Sequence, residues 1–454
     1  MCPQLAETVQ AAGVVGAGGA GFPTHVKLGA HVDTVIANGL ECDPLLQCDQ
    51  RLMESRAAEV VHGMTLVMEA TGAKQGILAL KQEYHAAAAA LERAIASTKR
   101  ARDLSLCLME SRYPAGDEFV LVYQATGRLV PEAGLPLHVG CVVQNVQTLF
   151  NISRAAGGAA VTHRLMSVVG AVTRPVTLWV PIGTAIRDAL AWAGGIQPQR
   201  WTGRSAGDYV IVVGGPMMGR IARDIDEAVA KTTSGLLVLP RDNVVARYLT
   251  RSRTSWVRRG VSTCDQCRDC TDLCPRYLLG HNLKPHEVMR AINYGLERPA
   301  DKVTAAVLCC ECRLCEAYAC PLELSPMSYY VSIKNELRAQ GWNNEVHKRA
   351  GLQPHPMREY RLVPTHRLIA RLGLTEWEHQ ACPLDETDHR PAQVIISLQQ
   401  HIGAAARALV SVGDRVAAGD RIAEIPEGKL GANVHASITG RVAKVSAAAI
   451  EIVT

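Results

Sequence analysis

Fifteen cysteines are present in the chain, and eight of them form two closely spaced sets. The first set is Cys264, Cys267, Cys270 and Cys274, and the second is Cys309, Cys312, Cys315 and Cys320. Each set begins with two C-x2-C steps and ends in Cys-Pro, with three residues before the last cysteine in the first set and four in the second. Three thiolates at this spacing can bind three corners of one iron-sulfur cubane. The proline then ends the local helix and turns the fourth thiolate away.

The pattern is typical of bacterial two-cluster ferredoxins, in which the fourth cysteine of each set binds the other cluster. We therefore expect one [4Fe-4S] cluster to be held by Cys264, Cys267, Cys270 and Cys320, and the second by Cys309, Cys312, Cys315 and Cys274. Cys310 competes with Cys309 for one position, and we favour Cys309 because Cys310 would shorten the spacing to one residue. A pair of zinc ribbons is the alternative, but zinc sites use two C-x2-C pairs separated by a longer loop.

The composition limits the other possibilities. A chain of 454 residues is too long for one core, so we expect two to four domains. A net charge of +5 without blocks of like charge argues against a nucleic-acid partner. The N-terminus does not resemble a signal peptide, and no apolar run reaches the length of about 18 residues that spans a membrane. We therefore expect a reducing compartment, where clustered cysteines serve as metal ligands.

A second feature that could do chemistry is the glycine-rich segment "GVVGAGGAGFPTHVKL". Its five glycines, at positions 13, 16, 18, 19 and 21, precede a predicted helix that contains Lys27. Glycine lets backbone N–H groups approach a phosphate closely, and a helix N-terminus favours an anion. On its own, such a segment is equally consistent with a structural turn.

Four segments in chain order resemble the FMN subunit of respiratory complex I and, more closely, the C subunit of the Rnf electron-transport complex. They are "GAGGAGFPTHVKL" (16–28), "NGLECDP" (38–44), "YPAGDE" (113–118) and "VVQNVQTL" (142–149). The resemblance implies that FMN is bound and that NADH is its reductant.

The resemblance also implies a set of site residues. Those expected to hold the FMN phosphate region are Gly16, Gly18, Gly19, Gly21 and Lys27, and those expected to line the flavin and nicotinamide are Asn38, Glu41, Tyr113, Gly116, Glu118 and Asn145. The complex I pattern has Arg at the position of Ala17 and Asp at that of Leu40, so the nicotinamide contacts depart further from the pattern. No catalytic acid or base is implied, because hydride transfer depends on positioning.

The middle of the chain predicts short strands. "YPAGDE" is expected to be a turn before a strand at 119–123. Strands at 167–172 and 176–180 and a helix at 185–192 predict a small ubiquitin-like α+β unit. This unit resembles the SLBB domain that follows the flavin domain in the same family. We expect its loop "GGPMMG" (214–219) to be a tight strand connection, with contact to the flavin domain as the alternative.

The C-terminal segment predicts a barrel-sandwich hybrid, the fold of lipoyl and biotinyl carriers. Short β-rich runs alternate with Gly-Asp turns at Gly413 and Gly419. Lys429 lacks the flanking residues of a carrier lysine, so we do not expect it to be modified. The segment resembles a non-carrier module of the Rnf C subunit, where that module precedes the flavin domain; here it follows the clusters.

The predicted fold class is therefore an α/β multidomain protein. The expected parts are a Rossmann-like FMN/NADH domain (1–160), an SLBB domain (161–240), a helical dicluster ferredoxin-like module (241–345), a connector (346–391) and a barrel-sandwich hybrid (392–454).

This module order and the second cysteine spacing resemble the cobalamin reductases of propanediol-utilisation microcompartments, over nearly the whole chain. The resemblance implies that hydride passes from NADH to FMN and that single electrons pass through two [4Fe-4S] clusters to a corrinoid. The expected partners are the corrinoid or a corrinoid adenosyltransferase, and microcompartment proteins. The expected location is the cytoplasm, inside a microcompartment.

Two other functions remain alternatives. One is an Rnf C-like subunit that feeds electrons to a membrane complex. The other is a cluster-only electron-transfer adaptor with a degenerate flavin loop, for which Ala17 is the support. Bleaching of a flavin by NADH would distinguish the adaptor from either enzyme.

Overall fold

The computed structural model describes residues 3–197, 206–295 and 300–454. The first unit is a parallel sheet with helices on both faces. Its strands are β1 (Thr34–Gly39), β2 (Gln75–Lys81), β3 (Leu104–Met109) and β5 (Cys141–Asn145), in the order β3-β2-β1-β5, and β4 (Arg112–Tyr113) lies outside this sheet. Along β1, Val35 and Ala37 enter one core and Ile36 enters the opposite core. Burial on both faces is typical of parallel strands.

The helices of the first unit are α1 (Pro3–Ala11), α2 (Thr24–Leu28), α3 (Cys48–Ser55), α4 (Ala57–Thr71), α5 (His85–Ala96), α6 (Glu118–Thr126) and α7 (Val146–Ala156). Helices α4 and α7 approach each other at Gly63. A Cβ at that position would lie 2.0 Å from the carbonyl oxygen of Leu149. Glycine therefore sets the distance between these two helices.

Helix α6 corrects the strand predicted for 119–123. Asp117 caps the helix, because its Oδ1 accepts hydrogen bonds from the backbone N–H groups of Phe119 and Val120 at 3.1 and 3.2 Å. The β-forming residues that follow are buried on the helix instead: Val120, Leu121 and Val122. The capping carboxylate and this burial outweigh the β propensity of the run.

The second unit is a mixed sheet with one packed helix. Its elements are β6 (His163–Gly170), β7 (Val176–Pro181), α8 (Ile186–Trp192), β8 (Tyr209–Val213), β9 (Arg220–Ile221) and β10 (Gly235–Pro240). The connector contributes β11 (Val363–Pro364), which pairs with β4, and β12 (Leu384–Asp385), which extends the sheet to the order β12-β7-β6-β10-β8-β9. The connector thus bridges the first two units rather than crossing open solvent.

The cysteine-bearing module is helical. Its helices are α9 (Val244–Thr250), α10 (Arg253–Thr263), α11 (Asp269–Asp272), α12 (Pro275–Leu278), α13 (Pro285–Asn293), α14 (Ala300–Thr304) and α15 (Pro326–Ala339), followed by α16 (Thr365–Arg371) of the connector. Proline opens α12, α13 and α15, where its missing N–H costs nothing. Tyr329 and Tyr330 of α15 are fully buried at the centre of the module.

The C-terminal unit consists of two small sheets. Its strands are β13 (Gln393–Ser397), β14 (Arg407–Ala408), β15 (Arg415–Val416), β16 (Arg421–Glu424), β17 (Val434–His435), β18 (Gly440–Val445) and β19 (Ala449–Val453), in the orders β13-β19-β18-β15 and β14-β16-β17. The predicted glycine turns adopt positive φ, +99° at Gly413 and +96° at Gly419. Val394 and Ile450 belong to the same hydrophobic core as Val35 of the first unit. The C-terminal unit therefore packs against the first unit directly.

We expect Gly63→Ala to destabilise the first unit by about 2 kcal/mol or more, because the new methyl group would overlap the α7 backbone. Thermal melting of the purified protein measures this loss. Gly29→Ala is the matched control, since its Cβ would stay 3.6 Å from the nearest atom, the carbonyl oxygen of Val26. Equal melting temperatures for the two variants would contradict the close helix approach.

Candidate functional site

Two of the predicted residues lie side by side at the carboxyl edge of the parallel sheet. Asn38 is the next-to-last residue of β1, Asn145 is the last residue of β5, and the two are register partners. Asn38 Nδ2 donates to the Gly116 carbonyl at 2.9 Å, and Asn145 Nδ2 donates to Asp49 Oδ2 at 2.7 Å. In open α/β sheets, ligands bind in the crevice outside this edge, so the position suits a cofactor site.

The glycine-rich segment folds as a narrow hairpin over this edge. Gly16 N–H donates to the Phe22 carbonyl at 2.8 Å, and Gly21 N–H donates to the Gly16 carbonyl at 3.2 Å. A Cβ on Gly18 would lie 3.4 Å from Asn145 Cβ, whereas one on Gly19 would meet nothing within 4 Å. The tip of the hairpin is therefore beside Asn145 and open on its outer side.

Three further predicted residues form a second wall. Lys27 Nζ is ion paired with Glu118 Oε1 at 2.9 Å and also donates to the Val143 carbonyl at 3.0 Å. Gly116 packs against β1, since a Cβ there would lie 2.6 Å from the Leu40 carbonyl oxygen. The structure thus brings Lys27 and Glu118 together, with the lysine charge already balanced.

Glu41 is buried two residues after the end of β1, at the edge of the sheet that the glycine hairpin covers. Its carboxylate accepts hydrogen bonds from the backbone N–H groups of Cys48 at 3.0 Å and Asp49 at 3.1 Å. Burial raises the pKa of Glu41, and the neighbouring Asp49 raises it further. Burial also raises the pKa of Asp49, while Arg164 opposes that shift. The site therefore contains a pair of desolvated carboxyl groups whose pKa values are both raised.

Gln147 and Thr148 are site residues that were not among those predicted. Thr148 Oγ1 accepts a hydrogen bond from Ala17 N–H of the hairpin at 2.9 Å. Gln147 is 1% exposed, and neither its side-chain nitrogen nor its oxygen has a hydrogen-bond partner among the described residues. A buried amide of this kind fits a polar ligand group that completes its hydrogen bonds. The signal was present in "VVQNVQTL", where the Gln147 amide follows Asn145 by two residues.

The first predicted cluster site is a cavity at the surface of the helical module. Cys264, Cys267, Cys270 and Cys320 all line it. Burial raises the pKa of Cys270, and the nearest thiols, Cys320 first, raise it further. The cysteine that follows α10 and the one that ends the second set thus share one cavity, as crossed ligation requires.

The second set of thiols is deeper. Burial raises the pKa of Cys315 most, and the next largest effects come from Cys309 and Cys274. Cys274 also lies near Cys312, although the largest effect on Cys312 comes from a hydrogen bond with Cys310. The pKa values of Cys309, Cys312 and Cys315 are thus each raised by Cys274, which supports one shared site for these four thiols.

The two cysteine loops repeat one backbone conformation. Gln266 (φ +60°) and Arg268 (φ +73°) have left-handed backbones in the first loop, and Glu311 (φ +59°) and Arg313 (φ +61°) have them in the second. Such conformations are costly for residues other than glycine and persist where the surroundings enforce them. In the first loop these residues lie two and four positions after Cys264. In the second loop they lie two and four positions after Cys309, so the two loops match if Cys309 is the first ligand. Glu311 N–H also donates to Cys309 Sγ at 3.3 Å.

A polar seam joins the flavin unit to the second cysteine loop. The Tyr113 hydroxyl, fully desolvated, donates to the Cys312 carbonyl at 2.6 Å. Beside it, Arg276 Nη2 donates to Asp117 Oδ2 at 2.8 Å, and the same guanidinium lies 3.5 Å from the centre of the Phe119 ring. A residue predicted to line the flavin is thus hydrogen bonded to the backbone carbonyl of a predicted cluster ligand.

The loop "GGPMMG" of the second unit enters the same seam. Asp43 Oδ1 accepts a hydrogen bond from Met217 N–H at 2.8 Å, and Oδ2 accepts one from Met218 N–H at 3.3 Å. Arg313 Nε donates to the Met217 carbonyl at 2.9 Å. The loop therefore contacts the flavin unit, which was the alternative prediction, and also the second cysteine loop.

Comparison with known proteins assigns a family domain to each unit. The Nuo51 FMN-binding domain matches residues 9–154, the SLBB domain 165–221, the 4Fe-4S dicluster domain 263–325 and the RnfC barrel-sandwich hybrid domain 379–453. The predicted fold class is confirmed. With this fold and this site, the protein is a flavo-iron-sulfur electron-transfer oxidoreductase with FMN and iron-sulfur clusters as cofactors.

Two relatives extend over almost the whole chain. The cobalamin reductases PduS of Citrobacter freundii and Salmonella typhimurium are each 45% identical, over 99% of this chain and 96% of their own. The chain therefore belongs to the cobalamin reductase family, as its sequence predicted. Among solved structures, an H2-reduced NAD+-reducing [NiFe]-hydrogenase is 24% identical with a TM-score of 0.48, over 78% of this chain and 64% of its own.

The residues present fit the two kinds of cofactor. The open hairpin at Gly19 and the orphaned Gln147 amide offer room and unpaired polar groups for FMN. The two sets of four cysteines match the spacing of cubane ligands. In the described ranges, no three His, Cys, Asp or Glu side chains are close enough together to bind a single metal ion. A cubane spreads its four thiolates over four corners, farther apart than the ligands of one ion. Among the described helices, none is long and apolar enough to cross a membrane.

We expect the stability contribution of Asp43 to depend on pH. Burial raises the pKa of Asp43 from 3.8 to about 6, against the opposing effects of its two N–H donors and Arg313. Between these values the folded state keeps a proton that the unfolded state loses, so stability falls as pH rises, by up to roughly 3 kcal/mol. Asp43→Asn removes this dependence. The difference in the free energy of unfolding between the wild type and Asp43→Asn should therefore become smaller as pH rises from about 4 to about 6.

Thermal melting of the wild type and Asp43→Asn across this pH range is the measurement. Asp420→Asn is the control, because this exposed carboxylate also accepts a backbone N–H, that of Ala417 at 2.7 Å. Melting curves of Asp43→Asn that stay parallel to the wild type at every pH would contradict a buried, protonated Asp43.

Proposed function

We propose that this protein oxidises NADH and passes the electrons, one at a time, to the cobalt of a corrinoid. NADH gives up a hydride, which is one proton and two electrons; two cobalt centres each gain one electron, and the proton goes to solvent. Bound FMN converts a two-electron donor into single-electron steps, and the clusters carry the single electrons. Membership of the cobalamin reductase family supports both substrates.

The observation that carries the proposal is the hydrogen bond between Tyr113 and the Cys312 carbonyl. It supports a contact between the proposed flavin lining and the proposed cluster loop, and Arg276 and Asp117 close the seam at 9% and 12% side-chain exposure. Water is largely excluded from this contact, so the distance between the two sites is held by packing. We infer that this seam is where electrons leave the flavin unit.

We propose the following residue roles. The FMN phosphate region is held by Gly16, Gly18, Gly19, Gly21 and Lys27, and the flavin and nicotinamide are lined by Asn38, Glu41, Tyr113, Gly116, Glu118 and Asn145. The open hairpin tip and the pairing of Asn38 with Asn145 support these assignments. Because Lys27 is neutralised by Glu118, we assign the main contact with the phosphate to backbone N–H groups of the hairpin.

We propose crossed ligation of the clusters, by Cys264, Cys267, Cys270 and Cys320 and by Cys309, Cys312, Cys315 and Cys274. The shared cavity of the first four and the repeated left-handed loop residues support it. The same repeat supports Cys309 over Cys310. We also propose the domain boundaries 1–160, 161–240, 241–345, 346–391 and 392–454. Three of the family matches lie within one proposed domain each, and the RnfC match begins at 379, inside the proposed connector.

Cys309→Ala and Cys310→Ala test the ligand choice as a matched pair. We expect Cys309→Ala to lose the second cluster and with it about half of the bound iron, because one thiolate corner is unfilled. Cys310→Ala should keep all of its iron and the EPR signals of both reduced clusters. Iron analysis and low-temperature EPR are the measurements, and the reverse pattern would assign Cys310 as the ligand.

The proposed function is tested with anaerobic protein loaded with iron, sulfide and FMN. We expect NADH to bleach the flavin, to produce EPR signals of reduced clusters and then to reduce added hydroxocobalamin, seen in its visible spectrum. FMN-free protein is the control and should leave the corrinoid oxidised. Clusters that do not respond to NADH would favour the adaptor. Clusters that are reduced but leave the corrinoid oxidised would favour an Rnf C-like acceptor.

For the partner and location, we propose a corrinoid adenosyltransferase as the protein that presents the corrinoid, inside a cytoplasmic bacterial microcompartment. Family membership and the order of the modules support this. Purified microcompartments from cells that express the protein should contain it at a constant ratio to shell protein. Its recovery only in the fraction without shells would contradict the location.

A further inference from the structure

Lys231 is a buried cation with no role in the function proposed so far. The residue is 4% exposed, and its Nζ donates hydrogen bonds to the Gly13 carbonyl at 2.7 Å and the Asn433 carbonyl at 2.9 Å. Burial lowers the pKa of Lys231 to about 7, and no charged group of the described residues offsets that shift. A buried ammonium without a carboxylate is costly, so its two carbonyl contacts call for an explanation.

Through its hydrogen bond to the Gly13 carbonyl, Lys231 binds the start of the glycine hairpin. Gly13 has φ +70°, and a Cβ there would lie 2.4 Å from the Asn433 oxygen and 2.8 Å from Lys231 Nζ. The flavin unit, the segment between β9 and β10 of the second unit, and the C-terminal unit therefore meet at the Lys231 side chain. Only glycine fits at this crossing.

The C-terminal unit and the segment around Lys231 also contact the far end of the hairpin, at Gly21. Ile402 N–H of the C-terminal unit donates to the Gly21 carbonyl at 3.0 Å. A Cβ on Gly21 would lie 3.0 Å from Thr232 Cγ2, which follows Lys231 in the chain. Lys231 is itself fixed to the C-terminal unit, since its backbone N–H donates to Gln400 Oε1 at 2.9 Å.

The hairpin is thus fixed at both ends while its tip stays open. A hydrogen bond from Ala17 N–H to Thr148 Oγ1 holds the tip from below, and a Cβ on Gly19 would meet nothing within 4 Å. Five glycines would give this segment many conformations in isolation, and each would have to be given up when a ligand binds. Fixing the ends removes that cost before binding.

We propose that Lys231 is a positioning residue, and that Lys231 and the C-terminal unit together clamp the glycine hairpin in the shape that binds FMN. The inference rests on the proposed function, in which this hairpin holds the FMN phosphate region. It gives the C-terminal unit, which lacks a carrier lysine, a role in cofactor binding.

The test is the FMN dissociation constant of cluster-loaded protein, measured by quenching of FMN fluorescence. We expect Lys231→Met to weaken FMN binding by about tenfold or more, because the Gly13 and Asn433 carbonyls lose their donor. Lys231→Gln keeps a two-hydrogen donor and should restore the affinity to within about threefold of the wild type. Lys429→Met is the matched control, an exposed lysine of the same unit, and should bind FMN as the wild type does.

Cluster content separates positioning from a general loss of structure, because the clusters lie in another module and should be unchanged in all variants. If Lys231→Met does not accumulate as folded protein, Ile402→Pro tests the other end by removing the N–H that bonds Gly21, with the same expected weakening. Wild-type affinity in a folded Lys231→Met or Ile402→Pro variant, or equal weakening in the Gln and Met variants, would overturn the clamp. Failure of the wild type itself to bind FMN would instead contradict the proposed function.

Discussion

The hydrogen bond from the Tyr113 hydroxyl to the Cys312 carbonyl is the contact on which the rest of the structure depends. Electron transfer falls off steeply with distance, so a flavin and a cluster on separate units are useful only if their separation is fixed. The pairing of Val363 with Tyr113 fixes the tyrosine from one side, and the Asp117–Arg276 ion pair closes the other. The connector, which looks like a linker in the sequence, is part of this arrangement.

Much of the electron-transfer chemistry was predictable because it depends on local spacing. A C-x2-C-x2-C run can bind three corners of a cubane, and the sequence shows this run directly at Cys264, Cys267 and Cys270. The left-handed backbones at Gln266 and Arg268 were not predictable, since neither residue type favours them. They become understandable only as the cost of wrapping a chain around a cluster.

Contacts between units were the least predictable part. The strand predicted for 119–123 was wrong because a capping carboxylate, Asp117, decides in favour of a helix, and the same carboxylate holds Arg276 far along the chain. Asp43 accepts hydrogen bonds from two backbone N–H groups of the loop "GGPMMG". These partners lie 174 and 175 positions further along the chain. No local pattern encodes such pairs. The buried Gln147 amide was visible in its motif, but its lack of partners was not.

The most direct test of the account is the rate of cluster reduction in Tyr113→Phe after rapid mixing with NADH. Freeze-quench EPR follows the clusters while absorbance follows the flavin in the same sample. If the seam is the electron path, the rate of cluster reduction should fall several-fold more than the rate of flavin reduction in the same sample, with equal iron content. Wild-type cluster reduction in Tyr113→Phe would contradict the role assigned to this contact.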